Sequence, residues 1–154
     1  MPFFAWLEGT HVATTVRDTL MLTAGLSAVH LIGFTLTTGG ALIANLNLLG
    51  VLFPGRSPSD VSRPTSRGIA LGLAISVATG ALLFAPRATV AAVNWIFQLK
   101  MALLATAVTF HLLVHQRVAR DPGVSGLARR TTAAVGLILW SGLALAGCAF
   151  ILLE

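Results

Sequence analysis

The chain has 154 residues, of which 56% are hydrophobic and 10% charged, and its mean hydropathy of +0.88 argues against a water-soluble domain and for lipid as the solvent. The net charge of +5 raises nucleic acid as a partner, but the arginines that carry it sit in two loops between apolar runs, which argues against that class. A single cysteine, Cys148, rules out an internal disulfide and any cysteine-based metal cluster, and reads as a small apolar packer.

Residues 1–18 mix Phe3, Phe4, Trp6 and Leu7 with Glu8, His11, Arg17 and Asp18, a composition that predicts an amphipathic helix lying on the membrane surface. Four runs follow with few or no charges, roughly 19–53, 68–86, 92–114 and 131–153. Each can cross a hydrocarbon core, which takes ~20 helical residues. The first is too long for a signal-peptide core and lacks a small-residue cleavage site, so it is expected to be retained, tilted or extended beyond the bilayer. Residues 19–154 therefore predict one all-α domain, an antiparallel four-helix transmembrane bundle. Arg56, Arg63 and Arg67 fall between the first two runs, and Arg117, Arg120, Arg129 and Arg130 between the last two. The positive-inside bias then turns both termini away from the cytoplasm. Gly72, Ser76 and Gly80 recur every four residues in the second run, a spacing that lets helix backbones approach closely in lipid. The fourth run carries Gly136, Gly142, Ala146 and Gly147, and such small-residue faces also suit pairing between copies in a homo-oligomer.

The first run holds the most informative polar residue. On a helical wheel Thr23, Ser27, His30, Gly33, Thr37, Gly40, Ala41 and Ala44 share one face, which points His30 into the bundle along a groove of small side chains. One reading is close helix packing with an interhelical hydrogen bond; the other is a slot for a flat cofactor with His30 as its axial ligand. In the third run Lys100 and His111 are eleven residues apart, three turns, and His115 follows one turn later. Lys100 either snorkels to the outer interface or faces inward at the depth of His30. His30 and His111 differ in depth by about 18 Å, too far to share one iron. His111 and His115 fall near the cytoplasmic end, level with Asn45 and Asn47, where they either meet headgroups or form a second site; for His115 the interfacial position is the expectation.

The spacing of His30 to Gly39 and Gly40, the segment FQLKMALL that opens the third run, and His111 eleven residues after its lysine resemble a superfamily of small four-helix bacterial membrane proteins. It includes the HemJ-type protoporphyrinogen oxidases and the CopD-type copper-resistance domains, and the resemblance covers roughly residues 20–150. WLEGT and VRDT near the start look closer still to an uncharacterised branch. The resemblance implies a bacterial cytoplasmic membrane, haem b bound by His30 and a catalytic role for Lys100, with His111 matching a further family histidine; Ser27, Gly33, Thr37 and Gly40, on the helical face of His30, are the expected lining of the cofactor slot. The chain departs from the pattern at Thr37, where those families usually carry tryptophan, and at Asn45, Leu46 and Asn47, where the HemJ type has an arginine. The loss of that cation removes an anchor for substrate propionates.

Three functions follow as expectations. The first is haem-dependent membrane redox chemistry, electron transfer or porphyrinogen oxidation, with a quinone, a porphyrin or a redox subunit as partner. The second is copper handling, for which Met1, Met21, Met101 and Cys148 are the soft ligands present. The third is a non-catalytic membrane scaffold. All five acidic residues lie at termini or in loops, which argues against a carboxylate proton relay.

Overall fold

A computed structural model describes residues 2–152, with side chains through Phe150. Met1, one of the soft copper ligands, and Leu153, the end of the last predicted run, lie outside the described residues. Among the described residues the chain is helical with no strand: α1 (Pro2–Glu8), α2 (His11–Asp18), α3 (Leu20–Leu48), α4 (Pro58–Phe84), a 3₁₀ turn (Ala85–Arg87), α5 (Ala88–Val93), α6 (Trp95–Phe110), a π-turn (His111–His115), α7 (Gln116–Arg120) and α8 (Gly126–Leu152). Four stretches, Leu20–Leu48, Pro58–Val93, Trp95–Arg120 and Gly126–Phe150, are long and apolar enough to cross a membrane.

Capping sets the boundaries and moves several of them from where hydropathy places them. The single helix expected over 1–18 is two, because the Gly9 N–H closes onto the Ala5 and Trp6 carbonyls while the Thr10 hydroxyl accepts from Ala13 N–H and starts α2. The segment from Pro58 to Arg67, expected as loop, is already helix: Ser57 caps it by accepting from Asp60 N–H, Pro58 occupies the first turn and Asp60 lies at the positive end of the helix dipole. Helix α3 stops at Leu48, short of residue 53, where Gly50 takes a φ of 81° and the Asn47 side-chain amide donates to the Leu52 carbonyl at 2.9 Å. Asn94 caps α6 by accepting from the Ile96 and Phe97 N–H groups, and the third span then runs on through the π-turn to Arg120.

The packing is uneven. Helices α3 and α4 are pressed together along their length: a Cβ on Gly72 would stand 2.5 Å from the Gly33 carbonyl oxygen, and one on Gly40 3.0 Å from Ile69 Cγ1. Helix α8 packs against both α3 and α6, whereas α4 and α6 scarcely touch. The neighbour order is α4, α3, α8, α6, with a cleft left between the first and last. Phe84 and Phe97 stack across one end of that cleft, with centroids 5.2 Å apart, and α7 meets α4 at the other. Ala41, Ile69, Ala107, Trp140 and Leu143 form the main core, while Leu31, Ile32, Leu36, Leu71 and Ile138 face outward. An apolar exterior around a core of small residues is the pattern of helices packed in lipid.

The N-terminal helices cover the turn between α4 and α6. Glu8 accepts from the Thr89 N–H at 2.8 Å and the Thr89 hydroxyl at 2.6 Å, and Arg17 donates to the Pro86 and Glu8 carbonyls. Phe4 meets Phe84 edge-on, while Phe3 and Trp6 stay exposed.

Candidate functional site

His30 projects from α3 across to α4, half-buried, with Nδ1 3.0 Å from the Thr79 hydroxyl oxygen. That hydroxyl donates its own hydrogen to the Ile75 carbonyl at 2.7 Å, so toward His30 it serves as acceptor. The Ser76 carbonyl, which only accepts, faces the same imidazole. Thr79, having donated to Ile75, accepts from Nδ1, so this network is satisfied with the imidazole proton on Nδ1 and the lone pair on Nε2. Gly80 makes room for the ring, since a Cβ there would lie 3.0 Å from His30 Cε1.

Lys100 comes from α6. Its Nζ lies 5.8 Å from the centroid of the Phe150 ring, close enough to His30 for their charges to interact. Phe97 stands one turn before Lys100 on α6 and Phe84 one turn after Gly80 on α4, so their stack, extended by Phe150 at 5.7 Å from Phe97, lies one turn outward of Lys100 and of the glycine against which His30 packs. Two of the expected site residues, His30 and Lys100, thus lie within electrostatic range of each other, on helices that scarcely touch.

The others are placed differently. Gly33, Thr37 and Gly40 do face inward, but α4 fills the groove they form: Gly72 sits on Gly33 and Thr37, and Ile69 on Gly40. Thr37 returns its hydroxyl to the Gly33 carbonyl at 2.9 Å. Ser27 is half-buried on α3, one turn before His30. His111 is buried three turns from Lys100, with Nε2 3.3 Å from the Ser66 hydroxyl.

His115 is not interfacial. It is 1% exposed and stacks on His111 at 4.9 Å and 20°, the two rings standing at the ends of the π-turn. Both of its nitrogens and His111 Nδ1 are buried without a hydrogen-bond partner, although the Ala44 backbone lies beside His115. Of the soft copper ligands, Met21 and Met101 point outward and Cys148 is exposed. Among the described residues no three His, Cys, Asp or Glu side chains converge on one point.

Sequence reasoning passed over Thr79, Phe84, Phe97 and Ser66, each of which gains its role from a partner on another helix. The chain matches no family model, no curated protein and no solved structure.

Proposed function

We propose that this protein is an antiparallel four-helix bundle of a bacterial cytoplasmic membrane that binds haem b through His30 and serves in electron transfer. The observation that carries the reading is the Thr79 hydroxyl, which fixes the imidazole with its proton on Nδ1 and its lone pair on Nε2 inside a membrane span. Metal-binding histidines are oriented by this kind of second hydrogen bond. A lone histidine cannot hold a bare metal ion, but it suffices for haem, whose macrocycle supplies four nitrogens to the iron. The donor set therefore fits the group. The small-residue groove of α3 is occupied by α4, so the space for a ring is sought in the gap between α4 and α6 rather than between α3 and α6.

Bound haem supplies reversible one-electron chemistry. His30 would ligate its iron, Thr79 would hold the imidazole at Nδ1, and the Phe84–Phe97 stack would keep water from the outer side. Lys100, which has no carboxylate partner among the described residues, would take up or release a proton at Nζ within electrostatic range of the imidazole and so balance charge in a medium that tolerates little of it. Electron transfer is favoured over porphyrinogen oxidation by Asn45, which is wholly buried and donates to the Ala41 carbonyl at 2.7 Å where a cation would be needed. Residue pairs that descend along α4 as they ascend along α3 (His30 with Gly80, Gly33 with Gly72, Gly40 with Ile69) support the antiparallel arrangement. The arginines gathered at the other end support termini on the periplasmic side. A pure packing role accounts for Gly33, Thr37 and Gly40, but it leaves Lys100 and the Nε2 lone pair without a purpose.

The test is an optical spectrum of protein purified in mild detergent, oxidised and then reduced, beside His30→Ala and Lys100→Met. The expected result is a Soret band with reducible α and β bands, lost in a folded His30→Ala protein, and kept with a shifted midpoint potential in Lys100→Met. A featureless spectrum from protein made with ample haem defeats the reading.

A further inference from the structure

Between α4 and the end of the third span a groove runs from Val77 toward α7. It is a half-open groove of about 450 Å³. Its walls are Ile69, Leu73, Val77, Val108 and Leu112, its floor is Trp140, and Ala70 and Ala74 leave its mouth open to the lipid side. At the α7 end the lining turns polar with Ser66, His111 and Gln116. Among the described residues no Asp, Glu, Lys or Arg lines the groove itself, although Arg120 reaches Gln116 from beyond its polar end.

The polar end is built to donate. Gln116 Oε1 is taken by Arg120 at 2.9 Å, which leaves the Gln116 side-chain N–H groups as its free function. Ser66 does not bond back to its own helix, as Thr65 and Thr79 do; its hydroxyl is directed at His111 Nε2 instead. His111 is 97% buried, since only 3% is exposed, and its Nδ1 lacks a partner, as do both nitrogens of His115 stacked behind it. Buried imidazoles that lack partners in lipid are costly and need an explanation beyond packing.

We propose that this cleft binds a neutral, ring-bearing lipophile with a carbonyl head, the chemical class of the membrane quinones, entering sideways from the bilayer. Apolar walls over some sixteen ångströms of α4, from Ser66 to Val77 (roughly 1.5 Å per residue), take the ring and the start of its tail. The Gln116 side-chain N–H groups at the polar end select a carbonyl acceptor, and walls without charged side chains favour a neutral molecule along the rest of the groove. The site is distinct from His30 and does not depend on haem being bound there.

Trp140 reports occupancy, because it forms the floor and quinones quench indole fluorescence. The probe is a benzoquinone with a ten-carbon tail, titrated into the full chain in lipid nanodiscs, with the exposed Trp6 and Trp95 replaced by Phe. Saturable quenching at one quinone per chain is expected, abolished by Ala70→Phe or Ala74→Phe, which fill the mouth from outward-facing positions, and weakened about tenfold by Gln116→Leu. Circular dichroism checks that each variant is folded. Quenching that rises linearly and equally in all variants overturns the proposal, as does displacement of the quinone by decane at equal membrane concentration, which marks a slot for acyl chains. The readout uses no haem band, so a Soret band without saturable quenching sinks this site and leaves His30 standing, and the reverse result leaves this site standing alone.

Discussion

Substituting Gly72 with alanine measures how tightly α3 and α4 are joined. The new Cβ would lie 2.5 Å from the Gly33 carbonyl oxygen, 2.6 Å from Thr37 Oγ1 and 2.7 Å from Thr37 N, where ordinary contact begins at 3.4 Å. Relief needs a separation of about 0.9 Å between the helices, as overpacked interfaces are relieved by backbone shifts. Two of the three atoms are backbone, and the Thr37 hydroxyl is held by its own bond to Gly33, so rotating a side chain does not suffice. Gly68→Ala on the same helix is the control, since its Cβ would meet nothing within 4 Å. Any gain in helix propensity is shared by the two variants and drops out of their difference. What remains is the overpacking cost, ~1 to 3 kcal/mol in general and expected in the upper half here because backbone opposes backbone. Unfolding by sodium dodecyl sulfate in mixed micelles, run on both variants, gives that difference. Equal midpoints, with Gly72→Ala as stable as Gly68→Ala, would refute the close approach. The same separation should lengthen the bond from His30 to Thr79 and loosen whatever His30 holds.

Thr79→Val keeps the shape of the side chain and removes the acceptor for Nδ1; haem retention should fall by about ten- to a hundredfold, and Thr79→Ser should restore it. Transfer of haem to a scavenging apoprotein measures this, and wild-type retention in Thr79→Val would show that the hydroxyl only packs. At the outer surface, the Thr89 hydroxyl and N–H hold the Glu8 carboxyl below its ordinary pKa of 4.5. A carboxylate with a depressed folded pKa stabilises above its unfolded value and ceases to as pH falls through the folded one. Docking of α1 should therefore be intact at neutral pH and released on acidification below about 4.5, read by proteolysis within residues 2–18. Glu8→Gln should remove the pH step, and an unchanged step in that variant would assign it to another group.

The four spans were legible because hydropathy sums over some twenty residues and tolerates local exceptions. Their ends were not. The stretch from Pro58 to Arg67 has the composition of a loop, yet Ser57, Pro58 and Asp60 together form a helix start that outweighs it. The inward face of α3 was readable from periodicity, and Gly33, Thr37, Ala41 and Ala44 are buried as that face requires. What fills the groove was not readable, because it depends on the register of α4 against α3. His115 was misplaced for a different reason: one extra residue in a turn rotates everything beyond it, and no composition announces a π-turn.

The hydroxyls make the same point at the level of single atoms. In lipid an O–H, whether buried or on the outer face of a helix, has no water to turn to, and the simplest solution is to bond the carbonyl one turn back. Thr37, Thr38, Thr65, Thr79, Thr106 and Thr131 all do this. Most of them therefore say nothing about function. Thr79 matters because, having spent its hydrogen on Ile75, it has only a lone pair to offer His30, and that decides which imidazole nitrogen keeps its lone pair. Ser66 matters for the opposite reason, since it leaves its own helix unbonded and points its hydroxyl at His111. A bundle stabilised by packing alone would let every hydroxyl satisfy itself locally. Ser66 departs from that pattern where α4 faces α6 across a gap, at the level of His111, while Thr79 satisfies itself locally and still meets His30 with its lone pair.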